Sequence, residues 1–391
     1  MEENDLRLLV IKPFTNDGHT NDRLDDVLES ALDALPDGAS YEVVTTLEAL
    51  EVALAAIDEA SSENGASPAG GTSFTNEASP AEEPLYLLWA VDIGRAGINL
   101  EMFRMLDWIR STGLVMKGCI GGIIIDGEST EYTKSIGRMV VHACNDAGCS
   151  FPGRCLVEGP AELVNYRIQA RNLETDLMGA YRIAASGLVK EMLAYNKIHE
   201  KKDFPKILML HASDSATSNT LALWELVKSH LDGCDFREIN LRDGEVMDCR
   251  GCSYEVCRYF SGEGRCFYGG TITEKVYPGV LETDCLVLLC PNYNDAISAN
   301  LAAFVNRMTS LFVRNRFYDK SLFGIIVSGY SGGDIIAEQL ISGLCMNKTF
   351  SLPANFAMIE TANEPGEIMK LDGIEERAKE FADRILEVIH K

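Results

Sequence analysis

The sequence predicts an α/β chain of two doubly wound domains in tandem, each a parallel five-stranded sheet between helical layers (three-layer α/β/α). Three observations predict it: an internal repeat, strands that are apolar throughout, and a helical pattern after nearly every strand. The repeat shows as three ordered pairs of segments at almost constant offset. Arg7–Pro13 (RLLVIKP) and Lys206–Ala212 (KILMLHA), both short apolar runs that open a half, lie 199 residues apart. Gly97–Phe103 (GINLEMF) resembles Ser298–Phe304 (SANLAAF) at an offset of 201, and Gly122–Ser129 (GIIIDGES) resembles Gly324–Ser331 (GIIVSGYS) at 202. The 391 residues therefore read as two copies of one unit, 1–199 and 200–391, with the seam in the polar stretch His199–Phe204.

In the second half the strands are expected at Ile207–Leu210, Phe236–Leu241, Cys285–Cys290, Leu322–Ser328 and Asn355–Glu360. Parallel strands buried on both faces should read as such continuous apolar runs. Helical patterns fall at Asn219–Leu231, Thr273–Leu281, Ser298–Val313, Asp334–Cys345 and Ile374–His390. The first half repeats the order, with strands at Leu6–Ile11, Tyr41–Thr45, Leu85–Val91, Gly121–Asp126 and Arg154–Glu158, and a closing helix from Ala161 to about Ala194. One insertion, Ser61–Pro84, is rich in Gly, Pro and Ser and reads as a mobile loop (61–84).

Composition narrows the function. With 35 Lys and Arg against 59 Asp and Glu, the net charge of −24 repels phosphate backbones and anionic lipid, so nucleic acid and membrane surfaces are poor partners. No apolar run approaches the ~20 residues that span a bilayer, and the acidic start MEENDLRLLV is unlike a signal peptide. A cytoplasmic protein is expected. Residues 1–200 hold 15 basic and 32 acidic side chains, net −17, against 20 and 27, net −7, in 201–391. An anionic cofactor would favour the second half.

Open sheets of this kind bind ligands at the carboxyl ends of their strands. After the first strand of the second half, Ser213, Ser215, Thr217, Ser218 and Thr220 supply five hydroxyls in eight residues, with the Asn219 amide, at the start of a helix. That density suits an anion cradle, donors and helix dipole converging on one phosphate, whereas an ordinary N-cap needs a single hydroxyl. The matching loop of the first half, Phe14–Asn21, has fewer hydroxyls and an added acid. After the third strand come Pro291, Asn292, Tyr293, Asn294, Asp295 and Ala296, suited to packing on a flat ring or to a plain turn. After the fourth come Ser328, Gly329, Tyr330, Gly332 and Gly333, where glycines permit close backbone approach.

Over residues 205–390 the chain resembles the flavodoxin-like NAD(P)H-dependent FMN reductase and iron–sulfur flavoprotein family. Ser213, Ser218, Asn219 and Thr220 match the family's phosphate loop at its spacing, with Ser215 where the family has a basic residue. Pro291 and Tyr293 match its proline-x-tyrosine loop, and Ser328–Gly333 its glycine-rich turn. The resemblance implies two flavodoxin-like domains, the first degenerate, and FMN with its phosphate on 213–220 and its ring against 291–296 and 329–333. It also implies NAD(P)H as cosubstrate and a homodimer or higher homo-oligomer.

Of the twelve cysteines, Cys249, Cys252, Cys257 and Cys266 form C-x2-C-x4-C-x8-C just after the second strand. In a reducing compartment such a group holds a 4Fe–4S cluster or tetrahedral zinc, or stays as free or redox-paired thiols. The resemblance favours the cluster, whose negative charge Arg250, Arg258 and Arg265 would offset. Cys144, Cys149 and Cys155 lack a nearby fourth ligand, and Cys119, Cys234, Cys285, Cys290 and Cys345 read as buried thiols. His211, ending its strand, reads as a strand-end polar residue at the mouth of the site.

The function these features predict is an FMN-dependent oxidoreductase moving electrons from NAD(P)H, or a small redox protein, through FMN to an acceptor, by way of the cluster if one is held. No acid–base pair or triad stands out, as expected where the flavin carries the chemistry. The alternative is a flavodoxin-like carrier or regulatory binding protein with zinc or free thiols at the cysteines.

Overall fold

The molecule, a computed structural model, is described over residues 6–15, 20–63, 84–213 and 217–391. It divides into two units, 1–149 with 156–193, and 150–155 with 194–391.

The first unit runs β1 (Arg7–Ile11), α1 (Asp22–Leu32), β2 (Ser40–Val44), α2 (Leu47–Glu63), β3 (Tyr86–Asp92), α3 (Leu100–Thr112), β4 (Ile120–Asp126), α4 (Thr133–Asp146), β5 (Leu156–Gly159), α5 (Arg167–Asn172) and α6 (Leu177–Ile198). Its strands lie in the order β2-β1-β3-β4-β5, all parallel. The central strands β3 and β4 are buried at every position, while β2 at the edge is exposed along most of its length. That contrast follows from sequence, since YLLWAVD and IGGIIID have no polar face to offer water and SYEVV has one.

The second unit repeats the plan: β6 (Lys206–His211), α7 (Asn219–Lys228), β7 (Asp235–Asn240), α8 (Tyr254–Ser261), α9 (Tyr277–Glu282), β8 (Cys285–Pro291), α10 (Ala299–Phe312), β9 (Ser321–Ser328), α11 (Gly333–Leu340), β10 (Ala357–Thr361) and α12 (Ile374–Ile389). The order β7-β6-β8-β9-β10 is that of the first unit. The three repeated segments fall on corresponding elements: β1 and β6, α3 and α10, β4 and β9. Both units are flavodoxin-like doubly wound sheets, as the sequence predicts. The strands are all parallel, and the sequence in which they are laid down reverses between β6 and β8, so the carboxyl ends of β6 and β8 flank a crevice.

Three expectations need correction. The single helix over 161–194 is a 3-10 turn at 161–166, then α5, then α6. Left-handed backbone at Glu162, Leu163 and Glu174 interrupts the helical ladder, and the Asp176 carboxylate restarts it by accepting from the Gly179 N–H at 2.6 Å. The patterns at 273–281 and 334–345 each contain a π-helical stretch, Ile272–Val276 and Ile341–Met346. The cysteine segment holds a helix, α8, that its spacing did not announce. Of the loop expected at 61–84, residues 61–63 belong to α2 and 64–83 lie outside the described residues. Among the described residues no helix is long and apolar enough to cross a membrane.

Candidate functional site

The carboxyl ends of the second unit's strands open into a cleft of about 650 Å³. Its floor on the β6 side is Ser213, Thr217, Ser218, Asn219 and Thr220, at the N-terminus of α7. Ser218 is the N-cap, its Oγ accepting from the Leu221 N–H at 3.2 Å. Ser213 is different: it is 2% exposed, borders the cleft, and its Oγ has no hydrogen-bond partner among the described residues. A buried hydroxyl left unpaired costs free energy, and a ligand oxygen in the cleft would remove that cost. Ser215 lies outside the described residues. His211 is buried and its ring Nδ1 accepts from the Ser213 N–H at 3.4 Å; burial holds its pKa below the ordinary imidazole value. It supports the loop from beneath and does not border the cleft.

The loop after β8 brings Pro291, Asn292, Tyr293, Asn294 and Asp295 to the cleft wall. Asn294 and Asp295 both have positive φ, 54° and 58°, which makes Tyr293–Ala296 a tight turn closed by the Ala296 N–H on the Tyr293 carbonyl at 3.3 Å. Asn and Asp tolerate that backbone better than most residues. The Asn292 amide then ties this loop to the next, donating to Ser328 Oγ at 3.2 Å and to the Ser331 carbonyl at 3.0 Å. Gly329 and Tyr330 border the cleft from the loop after β9, whereas Ala296, Ser328, Gly332 and Gly333 stand behind its wall. Gly332 has φ 85°, and a Cβ there would come within 2.3 Å of the Asp295 carboxylate, so only glycine lets the two loops meet.

Ser331, within the expected 329–333 loop, borders the cleft as well, and four bordering residues escaped the sequence reading: Arg242, Val327, Ala362 and Asn363. Arg242, from the loop after β7, is the one basic side chain among the described residues of the cleft. Ala362 and Asn363 follow β10 and are held by Asn219. Its Nδ2 donates to the carbonyls of Ala362 at 3.3 Å and Glu364 at 2.9 Å, and its Oδ1 accepts from the Gly366 N–H at 2.9 Å. Asn219 therefore acts on the cleft by fixing a fourth loop.

Cys249, Cys252, Cys257 and Cys266 all border a second cavity, of about 310 Å³, together with Phe260, Phe267 and Tyr268. Cys249 is exposed and the other three are half-buried. Among the described residues no three His, Cys, Asp or Glu side chains converge as ligands of one ion. Cys144, Cys149 and Cys155 are buried, and the Cys155 thiol lies 3.7 Å from that of Cys345. Burial pushes the Cys119 and Cys290 thiols up to about 12, which keeps them protonated at neutral pH. Cys234, expected buried, is half-exposed.

Residues 205–364 match the family model for NADPH-dependent FMN reductase. No curated protein matches the sequence. Among solved structures the chain is similar to the NAD(P)H:quinone oxidoreductase from Methanothermobacter marburgensis. That likeness has 17% identity and a TM-score of 0.37, over 49% of this chain and 100% of the other. It is also similar to the azoreductase from Bacillus anthracis str. Sterne, at 16% identity and a TM-score of 0.32, over 46% of this chain and 98% of that one.

Proposed function

We propose that the chain is an oxidoreductase holding FMN in the cleft of its second unit, where residues 205–364 match the family model for NADPH-dependent FMN reductase. The observation that carries this is the unpaired, buried Ser213 hydroxyl on the cleft floor. With the hydroxyls of Thr217, Ser218 and Thr220 at the N-terminus of α7, it forms a donor set for a phosphate. Arg242 supplies a positive charge that Ser215 does not, and so offsets the phosphate in an acidic chain. The Pro291–Asp295 turn and Gly329–Tyr330 form a wall for the isoalloxazine, with Tyr293 and Tyr330 exposed at its rim. When bound, FMN supplies the exchange of hydride and electrons between NAD(P)H, or a small redox protein, and an acceptor. The protein's residues bind and orient it; Asn292 and Asn219 keep three of the cleft's loops in place.

The test is direct. Purified protein should hold FMN, show flavin absorbance, and oxidise NADH or NADPH with a dye acceptor. Protein that takes up no added FMN overturns the reading.

A 4Fe–4S cluster at Cys249, Cys252, Cys257 and Cys266 belongs to the same proposal. Its support is the C-x2-C-x4-C-x8-C spacing; the four thiols border one cavity, and among the described residues they do not converge as ligands of one ion. Iron and acid-labile sulfide after anaerobic reconstitution decide it; protein that binds neither refutes the cluster. A cytoplasmic homodimer or higher oligomer completes the proposal, and sedimentation of the FMN-loaded chain reports the assembly.

A further inference from the structure

The second unit gathers three cations around one ring, at the amino ends of its strands and away from the cleft. Phe312 ends α10, roughly 20 Å along that helix from the loop that borders the cleft. The Arg316 guanidinium carbon stands 4.4 Å from the Phe312 ring centroid, that of Arg154 5.4 Å and the Lys348 ammonium 5.5 Å. In a chain of 59 acidic to 35 basic residues such a group should have carboxylates beside it. Among the described residues none forms an ion pair with any of the three. Arg316 has partners of another kind, donating to the carbonyls of Phe312 at 2.6 Å and Asn315 at 3.0 Å, where the helix dipole is negative. The side chains of Arg154 and Lys348 make no hydrogen bond among the described residues, and the ring face is what attracts them. Lys348 is half-buried; burial, and then the charge of Arg154, hold its pKa below the ordinary lysine value.

The backbone holds these two cations together against their repulsion. Arg154 has φ 58° and Thr349, next to Lys348, has φ 68°, a left-handed conformation that is unfavourable for both and most of all for β-branched Thr. Tertiary hydrogen bonds keep it. The Arg154 N–H donates to the Cys345 carbonyl at 2.9 Å, Phe151 and Leu352 exchange two backbone bonds of 2.8 Å, and Thr349 Oγ1 accepts from the Phe317 N–H at 2.8 Å. Like charges fixed on such a backbone, with no acid paired to them, are an arrangement that a bound anion relieves. Three positive charges suit a dianion better than a single carboxylate, and guanidinium groups match the oxygens of a phosphate. We propose that Arg154, Arg316 and Lys348 form a binding site for a phosphoryl group, carried by inorganic phosphate or by a phosphate ester, separate from the FMN cleft. The site does not depend on the FMN reading, since none of its residues borders the cleft.

The test titrates the full-length chain with inorganic phosphate and with ADP at low ionic strength, where screening is weakest. Wild type is compared with Lys348→Arg, which keeps the charge, and with Arg154→Gln combined with Lys348→Gln, which removes two charges. The double variant should bind phosphate at least tenfold more weakly, and Lys348→Arg should stay within about threefold of wild type. Urea unfolding separates a binding site from a structural cluster. Without phosphate the double variant should unfold at the wild-type midpoint or above it, because a repulsion is gone. Phosphate at constant ionic strength should raise the wild-type midpoint and leave that of the double variant unmoved. Circular dichroism verifies the fold, and should the double variant not fold, Lys348→Gln is read in its place. Tighter binding of phosphate than of ADP supports the free ion as occupant, and the reverse supports an ester. An uncharged variant that binds phosphate as wild type does overturns the inference, since the anion then sits elsewhere, the cleft included. Wild type that binds neither probe overturns it too.

Discussion

At the scale of single residues, the cleft floor contains two serines with opposite duties. Ser218 already spends its oxygen on capping α7, so Ser218→Ala should lower the stability of the chain by about 1 kcal/mol as well as weakening FMN. Ser213 spends nothing on the fold. Ser213→Ala should weaken FMN binding by about 10–100-fold, the worth of a hydrogen bond to a charged group, while the unfolding midpoint of the FMN-free protein holds or rises. Flavin titration and urea denaturation of both variants check this, and equal stability losses would show that Ser213 is structural. The hydroxyl run was legible in the sequence because its density exceeds what a cap needs. Arg242 was not: it reaches the cleft from the loop after β7, and no spacing rule connects it to the hydroxyl run. Arg265, expected beside the cysteines to offset a cluster's charge, pairs instead with Glu263 at 2.7 Å.

At the scale of elements, loops at the cleft are held by side chains of neighbouring elements. Asn219→Ala removes three hydrogen bonds to the segment after β10, at about 1 kcal/mol each. The expected outcome is faster hydrogen exchange confined to residues 362–366, with weaker FMN binding; unchanged exchange there would refute the tether. The sequence marks Asn219 as a ligand residue because it sits in the hydroxyl run, and only the fold shows it facing another loop. A second junction carries pH dependence. At the end of α6 the His199 ring donates from Nδ1 to the Tyr195 carbonyl at 2.8 Å and accepts at Nε2 from the Ser351 hydroxyl at 2.7 Å. Burial lowers its pKa below the ordinary 6.5, the hydrogen bond to the Tyr195 carbonyl and then the charge of Asp319 opposing this only in part. The unfolded chain therefore binds the proton first as pH falls. Stability from this group is complete above 6.5 and is lost as pH drops toward the folded-state value. Buried His211 adds to the trend in the same direction. Urea midpoints should fall from pH 7.5 to pH 5, and His199→Asn should fall less steeply than wild type; identical slopes would remove His199 from the account.

At the scale of the whole chain, one fold has been used twice, and among the described residues the hydroxyl-lined cleft lies at the strand ends of the second copy. The strand ends explain the difference. Where β8 and β9 finish in Pro291 and Ser328, β3 and β4 finish in Asp92 and Asp126, paired across the ladder. Asp126 is 1% exposed, and Arg23 from α1 fills the space above it, its guanidinium 2.6 Å from Oδ1 and 3.0 Å from the Gly159 carbonyl. The Asn21 amide completes the set at 2.9 Å from Asp126. Two carboxylates at the strand ends repel a phosphate, and an internal ion pair takes the position a ligand would need. The charge of −17 in residues 1–200 was readable from composition, but its placement at the switch point was not, because acids on a surface helix count the same in a sum. The chain should accordingly bind one FMN, not two, by flavin-to-protein ratio. Asp126→Ala removes the buried partner of the half-buried Arg23 guanidinium and should cost about 1–3 kcal/mol of first-unit stability. FMN affinity in the second unit should not change. Arg23→Met with Asp126→Leu, which removes both charges, should recover most of that loss, since apolar replacement of a buried pair is close to neutral. A second FMN in the double variant would show that the ion pair alone excludes it; ratios that stay at one would assign the exclusion to Asp92 and the shape of the loops as well.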